Sequence, residues 1–304
     1  MCVRFSGCGI IAIEGRNRGE IVNMREIVID DITRAVAELC MDANCSLGED
    51  VISALKQALE VEESMEGRDV ISQLLSNADL AGREKVPLCQ DCGTAIVFLE
   101  IGQDVHITGG SLGEAVEEGV RQGYKEGILR KSMVTQPFSK RDNTQDNTPP
   151  VIHAEIVPGD KMKITVMTKG CGAENMSQLM MLNPGEGTKG ILKAILKTVS
   201  QAGGNACPPM VIGLGIGANM EKAMLMAKKA LLRPVYEISN DPETADLELE
   251  ALGRINDLGI GPMGYGGRIT ALAVHAEVAP THIGGLPVAI NLQCHSARHK
   301  EKVL

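Results

Sequence analysis

The stretch VPLCQDCGTAIVF, Val86 to Phe98, sets Cys89 and Cys92 three positions apart with Asp91 between them. Thiols so spaced can share a metal, form a redox pair, or leave one working sulfur beside a passive one. A zinc knuckle needs a second pair, which this half of the chain does not supply. A thioredoxin-like motif opens a helix, whereas Gly93 and the apolar run Thr94–Leu99 look like a turn into a strand. A wider set is also available: Cys89 follows Val-Pro-Leu, Cys207 precedes Pro-Pro, and Cys294 ends PVAINLQC. Each stands where an apolar run meets a proline or a polar turn. Three thiolates converging from three loop tips could hold a cubane iron–sulfur cluster whose fourth iron has no protein ligand. Such an iron is a Lewis acid for a hydroxyl and a carboxylate. Free cysteines also serve as small buried hydrophobes, and spacing alone does not choose.

A different chemistry is offered by VIGLGIGANMEKA. It places Gly213-x-Gly215-x-x-Ala218 after an apolar strand and before a helix, with Glu237 about where a ribose-binding acid would stand. An NAD-dependent dehydrogenase uses that pattern. Against it, Cys207-Pro208-Pro209 introduces the strand, and no series of strand-helix units continues it. The plainer reading is glycine that lets backbone approach another element.

The elements that must position these groups are legible in outline. Val28, Ile32, Ala35 and Leu39 fall on one helical face, so the first helix is expected from about Met24. SLGE at Ser46–Glu49 and again at Ser111–Glu114 reads as a capping box opening a helix. Thr94–Glu100, Val151–Val157, Lys163–Met167, Met210–Leu214, Ile269–Glu277 and Pro287–Leu292 read as strands, with helices over about 190–201 and 220–232. The polar run Ser139–Pro150 cannot be core by composition and is a linker or a functional loop. The expected architecture is a single α+β domain over residues 24–304, with a helical N-terminal third and a mixed β-sheet flanked by helices. Residues 1–23 are either a flexible extension or an upstream start preceding Met24.

Composition narrows the function. The formal net charge of −9 argues against a nucleic-acid partner, and zero Trp, three Tyr and three Phe leave few platforms for stacking bases. Nine scattered cysteines, an odd number, argue against a closed disulfide framework and suit a reducing, cytoplasmic setting. No window approaches the roughly 18 apolar residues of a membrane span.

CQD at Cys89–Asp91 followed by GTAIVF, KGCGAENMS at Lys169–Ser177, NACPPMVIGLGIG at Asn205–Gly217, and THIGGLPVAINLQCHSAR at Thr281–Arg298 together resemble class I fumarases, the iron–sulfur hydro-lyases. They are most similar to the separate alpha subunit of the two-subunit fumarase and L-tartrate dehydratase group. The similarity runs from about Met24 to the C-terminus in the family's motif order. It implies that Cys89, Cys207 and Cys294 are the ligands of a 4Fe-4S cluster with one iron lacking a protein ligand, and that Cys92 is the bystander. Members of that group usually have Thr at the position of Cys92 and Gly or Ala at that of Cys171, so two extra thiols stand beside the expected site. The resemblance further implies that Gln90, Asp91, Arg130, Gly172 and His282 meet the substrate. Arg130 would clamp a carboxylate through paired hydrogen bonds, and Asp91 and His282 would take catalytic roles.

The activity so implied is reversible dehydration of a small dicarboxylic hydroxy acid, malate to fumarate first and L-tartrate to oxaloacetate second. A cluster-bearing subunit without activity is the other reading. Single-chain members carry a further C-terminal domain, and this sequence stops ten residues past Cys294 (304 − 294). A beta subunit closing over the cluster with the base that removes the carbon-bound proton is therefore expected, in a dimer of alpha-beta pairs.

Overall fold

In the computed structural model, residues 24–304 are described. The expectation about residues 1–23 lies outside them. The N-terminal third is helical after one short strand: β1 (Arg25–Val28), α1 (Ile29–Cys45), α2 (Glu49–Val61) and α3 (Met65–Glu84). Ile32, Ala35 and Leu39 are buried as the helical periodicity predicts, but Val28 is exposed at the end of β1. The first SLGE does not cap. Ser46 instead closes α1, donating its N–H to the Asp42 carbonyl, and Gly48 precedes α2 without a side-chain cap. Ser111 does cap its helix, accepting from the Glu114 N–H at 3.4 Å.

The remaining elements are β2 (Thr94–Gly102), β3 (Val105–Thr108), α4 (Leu112–Glu126), β4 (Val151–Val157), β5 (Met162–Lys169), α5 (Cys171–Glu174), β6 (Gln178–Leu182), α6 (Gly187–Ala202), β7 (Met210–Ala218), α7 (Met220–Ala230), α8 (Pro242–Asn256), β8 (Ala271–Thr281), β9 (Leu286–Gln293) and β10 (His299–Val303). Their strands form two four-stranded mixed sheets, ordered β10-β5-β2-β4 and β6-β9-β7-β8, beside the short parallel pair β1-β3. The α+β reading holds, with its single mixed sheet resolved into two.

Packing explains the division. One face of the first sheet meets α1 and α4 through Val97, Leu99, Ile164 and Val166. One face of the second meets α6 and α8 through Ile212, Leu214, Ile290 and Leu292. Ile96, Phe98 and Met167 of the first sheet share a third core with Val211 and Ala273 of the second, closed by Leu55 of α2 and Ile71 of α3. Strands buried on both faces read as continuous apolar runs, as these do. Among the described residues, no helix is long and apolar enough to cross a membrane.

The run Ser139–Pro150 departs from expectation at two residues, Asn147 and Thr148, which are buried. Asn147 is fully buried, its amide donating to the Gly93 carbonyl at 3.1 Å and its Oδ1 accepting from the Ser132 N–H at 2.7 Å. A polar side chain can lie inside when its hydrogen bonds are made.

Candidate active site

Four connections meet where the two sheets adjoin. Residues 85–93 enter β2, 170–177 carry the chain from β5 to β6, 203–209 enter β7, and 294–298 carry it from β9 to β10. Register fixes two of the cysteines. Val211 pairs with Gln293 across β7 and β9, so Cys207 just before one strand and Cys294 just after the other share one end of the second sheet. The Cys207 carbonyl accepts from the His295 N–H at 3.2 Å and faces its Nδ1 at 3.1 Å. These contacts hold Cys207 at φ +53°, a region uncommon for a residue with a side chain.

Cys89 reaches the same place from the first sheet. Burial pushes the Cys207 thiol up, and the neighbouring Cys294 and Cys89 thiols push it further. All three are partly exposed, while Cys40, Cys45 and Cys92 are buried and Cys171 is exposed; every cysteine among the described residues is free. No three His, Cys, Asp or Glu side chains among the described residues gather as ligands of one ion. Three soft sulfurs suit iron–sulfur chemistry by ligand type.

Cys92 points inward at 1% exposure. Its thiol accepts from the Arg130 N–H at 3.2 Å and lies 3.8 Å from the Cys89 carbonyl. Its thiol thus helps fix the backbone that carries Arg130. The Arg130 guanidinium is exposed and extends toward Gln90, 3.5 Å from its carbonyl. Gln90 Oε1 in turn lies 3.3 Å from Cys89 Sγ. Asp91 Oδ1 accepts from the Gly93 N–H at 3.0 Å and Oδ2 from the Cys171 N–H at 2.8 Å, which joins the loop before β2 to the turn after β5. Gly172 follows on that turn, where a Cβ would stand 3.1 Å from the Asn205 carbonyl. Gln90, Asp91, Arg130 and Gly172 are therefore brought together around the three thiols.

His282 is not. It lies in the turn between β8 and β9, at the end of the second sheet opposite Cys294, where Thr281 pairs with Ala218. Eight residues of β9 separate the two ends, about 25 Å at roughly 3.3 Å per residue. Its ring Nδ1 accepts from the Gly284 N–H, and the side chain is exposed. Gly213 and Gly215 lie within β7, not in a turn after it. A Cβ there would meet the carbonyls of Ala227 and Ala223 at 2.0 and 1.9 Å. These glycines seat α7 on the sheet and form no phosphate cradle.

Sequence reasoning missed the buried charges behind the thiols. Lys169 Nζ donates to the Leu292 carbonyl at 2.6 Å and pairs with Glu174 at 3.2 Å. Glu174 also binds Lys228 at 2.6 Å and the Asn291 amide at 3.1 Å. Burial pushes the Lys169 ammonium down, and Glu174 and Cys294 oppose that push. Arg298, 1% exposed, donates to the Asp91 carbonyl at 2.7 Å and to Asn44 at 3.2 Å. Lys169 and Arg298 stand inside the quoted KGCGAENMS and HSAR motifs, yet a lysine or arginine in sequence carries no sign that it will be buried.

Comparison with known proteins identifies the family. The profile of the family described as Fumarate hydratase (Fumerase) matches residues 33–303. A protein of Methanocaldococcus jannaschii named "Putative L(+)-tartrate dehydratase subunit alpha" is 41% identical over 277 residues, covering 89% of this chain and 96% of that one. The L(+)-tartrate dehydratase subunit alpha of Escherichia coli strain UTI89 is 30% identical over 278 residues, covering 90% and 91%. With the match running through all four connections that carry the site, the chain belongs to the fumarate hydratase (Fumerase) family of hydro-lyases, as a chain of the alpha-subunit type.

Proposed function

We propose that this chain is the cluster-bearing catalytic subunit of a dehydratase for a four-carbon hydroxy dicarboxylate. The observation that carries the reading is the meeting of Cys89, Cys207 and Cys294, three partly exposed thiols from three connections, beside Arg130 and Asp91. When bound, a 4Fe-4S cluster on those thiolates supplies a Lewis-acidic iron without a protein ligand. The chain's own residues do the rest. Arg130 grips one carboxylate with paired hydrogen bonds, which a planar guanidinium can give and an ammonium cannot. Gln90 orients the second polar end. Asp91, locked by the Gly93 and Cys171 N–H groups, handles the one proton that the departing hydroxyl must gain to leave as water, and the proton that the base takes from carbon balances it. Holding these groups in one geometry is itself worth much of the barrier.

The carbon-bound proton falls to a base outside this set. We assign it to a beta subunit, as the relatives' names, subunit alpha, suggest. The family name points to malate and fumarate, and the relatives' names to L-tartrate and oxaloacetate. Both substrates satisfy the site's chemistry, since each presents two carboxylates and a hydroxyl.

The test is anaerobic co-production with the beta chain, iron and sulfide analysis, and assay with malate, fumarate and both tartrate enantiomers. Wild type and Cys92→Ser should carry one four-iron cluster and turn over one of these acids. Cys89→Ser, Cys207→Ser and Cys294→Ser should each lose the cluster. If Cys89→Ser kept it and Cys92→Ser lost it, the ligand assignment would fail.

A further inference from the structure

Arg298 is among the largest fully buried side chains described, and its charge has no visible partner. No carboxylate among the described residues lies within ion-pair distance of it; its Nε has no hydrogen-bond partner. The acceptors it does reach are neutral, the Asp91 carbonyl at 2.7 Å and Asn44 Oδ1 at 3.2 Å. The Asp91 carboxylate is committed to the N–H groups of Gly93 and Cys171, with its Oδ2 on the same side of Gly170 as the guanidinium, 3.4 Å from where a Cβ there would be. Other buried ions here are treated differently: Lys169 has Glu174, and Arg233 has Glu248 at 2.7 Å. An unpaired buried charge is costly, and proteins keep one mainly where another charge compensates it.

The guanidinium lies against the connection that carries Cys89. It holds the carbonyl of Asp91, two residues from Cys89, and stands four residues past Cys294. One Nη is 3.2 Å from where a Cβ on Gly170 would be, so it also backs the turn after β5. A four-iron cluster is net negative once its three thiolates are counted.

We propose that Arg298 is the fixed countercharge of the metal centre, a positioning residue that stabilises the cluster's negative charge and ties the Cys89 and Cys294 connections together. This rests on the cluster reading above. A positive charge close to a cluster favours its reduced form, because reduction adds negative charge there.

The full chain, reconstituted anaerobically with ferrous iron and sulfide, is compared with Arg298→Lys, Arg298→Gln and Asn44→Asp. The last keeps the arginine and neutralises it, since a carboxylate then sits where the amide oxygen is. The readouts are iron content and the midpoint potential followed by electron paramagnetic resonance. Arg298→Gln and Asn44→Asp should shift the oxidised-to-reduced ratio about tenfold toward oxidised, about 59 mV more negative for one electron. Arg298→Lys should match wild type. In the metal-free chain Asn44→Asp should raise the thermal midpoint, because the guanidinium gains a partner. Wild-type potentials in both Arg298→Gln and Asn44→Asp would overturn the proposal. If Arg298→Gln fails to fold, Asn44→Asp decides by the same readout. If neither variant loads iron, loading by Arg298→Lys supports the charge, and its failure makes Arg298 a structural clamp only. A wild-type chain that takes no cluster defeats the functional reading itself, before any variant is compared.

Discussion

Arg130 is held by its backbone, not its side chain. Its N–H rests on the Cys92 thiol, and the guanidinium has a single long contact with the Gln90 carbonyl. A group so placed is free to take a carboxylate, and little in the fold depends on its head. Arg130→Lys should therefore leave the melting midpoint and the iron content unchanged while lowering kcat/KM by about 10²-fold, the scale of a lost bidentate charge-assisted clamp. Steady-state kinetics beside a melting curve check both halves, and unchanged kinetics would return Arg130 to the role of a solvated surface residue. Apolar runs that meet a proline or a polar turn marked Cys89 and Cys207 as loop-tip thiols, whereas Gln90, Asp91 and Arg130 were named only through the motif resemblance. Neither signal could reveal that Cys92 supports Arg130 across 38 residues, since that contact exists only after α4 folds back on the loop.

One glycine and one glutamate show how the elements are held. Gly215 lets α7 lie against β7, and an added Cβ would stand 1.9 Å from the Ala223 carbonyl, a backbone atom that cannot swing aside. Gly215→Ala should cost about 2 to 3 kcal/mol of stability, the upper range for overpacking. Added NAD should not restore it; a rise of the thermal midpoint with NAD would revive the dinucleotide reading. Glu62 works differently. Its buried carboxylate accepts from the N–H groups of Glu63, Ser64, Arg268 and Ile269, fastening the α2–α3 junction to the approach of β8. Burial alone would raise its pKa, but those four donors outweigh it and hold the carboxyl below its usual range. With the folded pKa below the unfolded value of about 4.3, its stabilisation is complete above that value and is lost as pH falls through the folded pKa. Glu62→Gln should lose about 2 to 3 kcal/mol at pH 7, and the gap from wild type should shrink below about pH 4. Urea midpoints across that range measure it; a gap that persists unchanged at low pH would refute the latch. The strands β2, β4, β5, β7, β8 and β9 were legible because their apolar runs are bounded by Gly, Pro and Asp, whereas β1, β3, β6 and β10 were not found. The long helix α3 and the helix α8 were not found, although Ser64 caps one and Asp241-Pro242 opens the other, because their exposed faces are polar and their apolar stripes narrow.

At the scale of the whole molecule, the two ends of the second sheet pose the sharpest question. The thiols gather at one end, and His282 projects from the other beside Ile283, the most exposed large apolar side chain described, at 93%. A strand is stiff, so no rotamer of His282 closes a gap of about 25 Å to Cys294. If the histidine meets the dicarboxylate as the motif resemblance implies, it does so in a second copy of the chain, with Ile283 and the neighbouring half-exposed Val278 and Met181 covered by that contact. The pairing would be isologous, each copy giving its histidine to the other's thiol site. Mixed assemblies distinguish this from action within one chain. Cys89→Ser lacks the metal centre but keeps a good histidine; His282→Ala keeps the metal centre and lacks the histidine. Each alone should be inactive with the beta chain present. Co-produced with separable tags and purified as the mixed pair, they should regain up to about half of wild-type activity, because one of the two sites then has both a cluster and a histidine. A mixed pair no more active than its parents would confine His282 to its own turn and remove it from the site. Full activity of His282→Ala by itself would remove it from catalysis altogether.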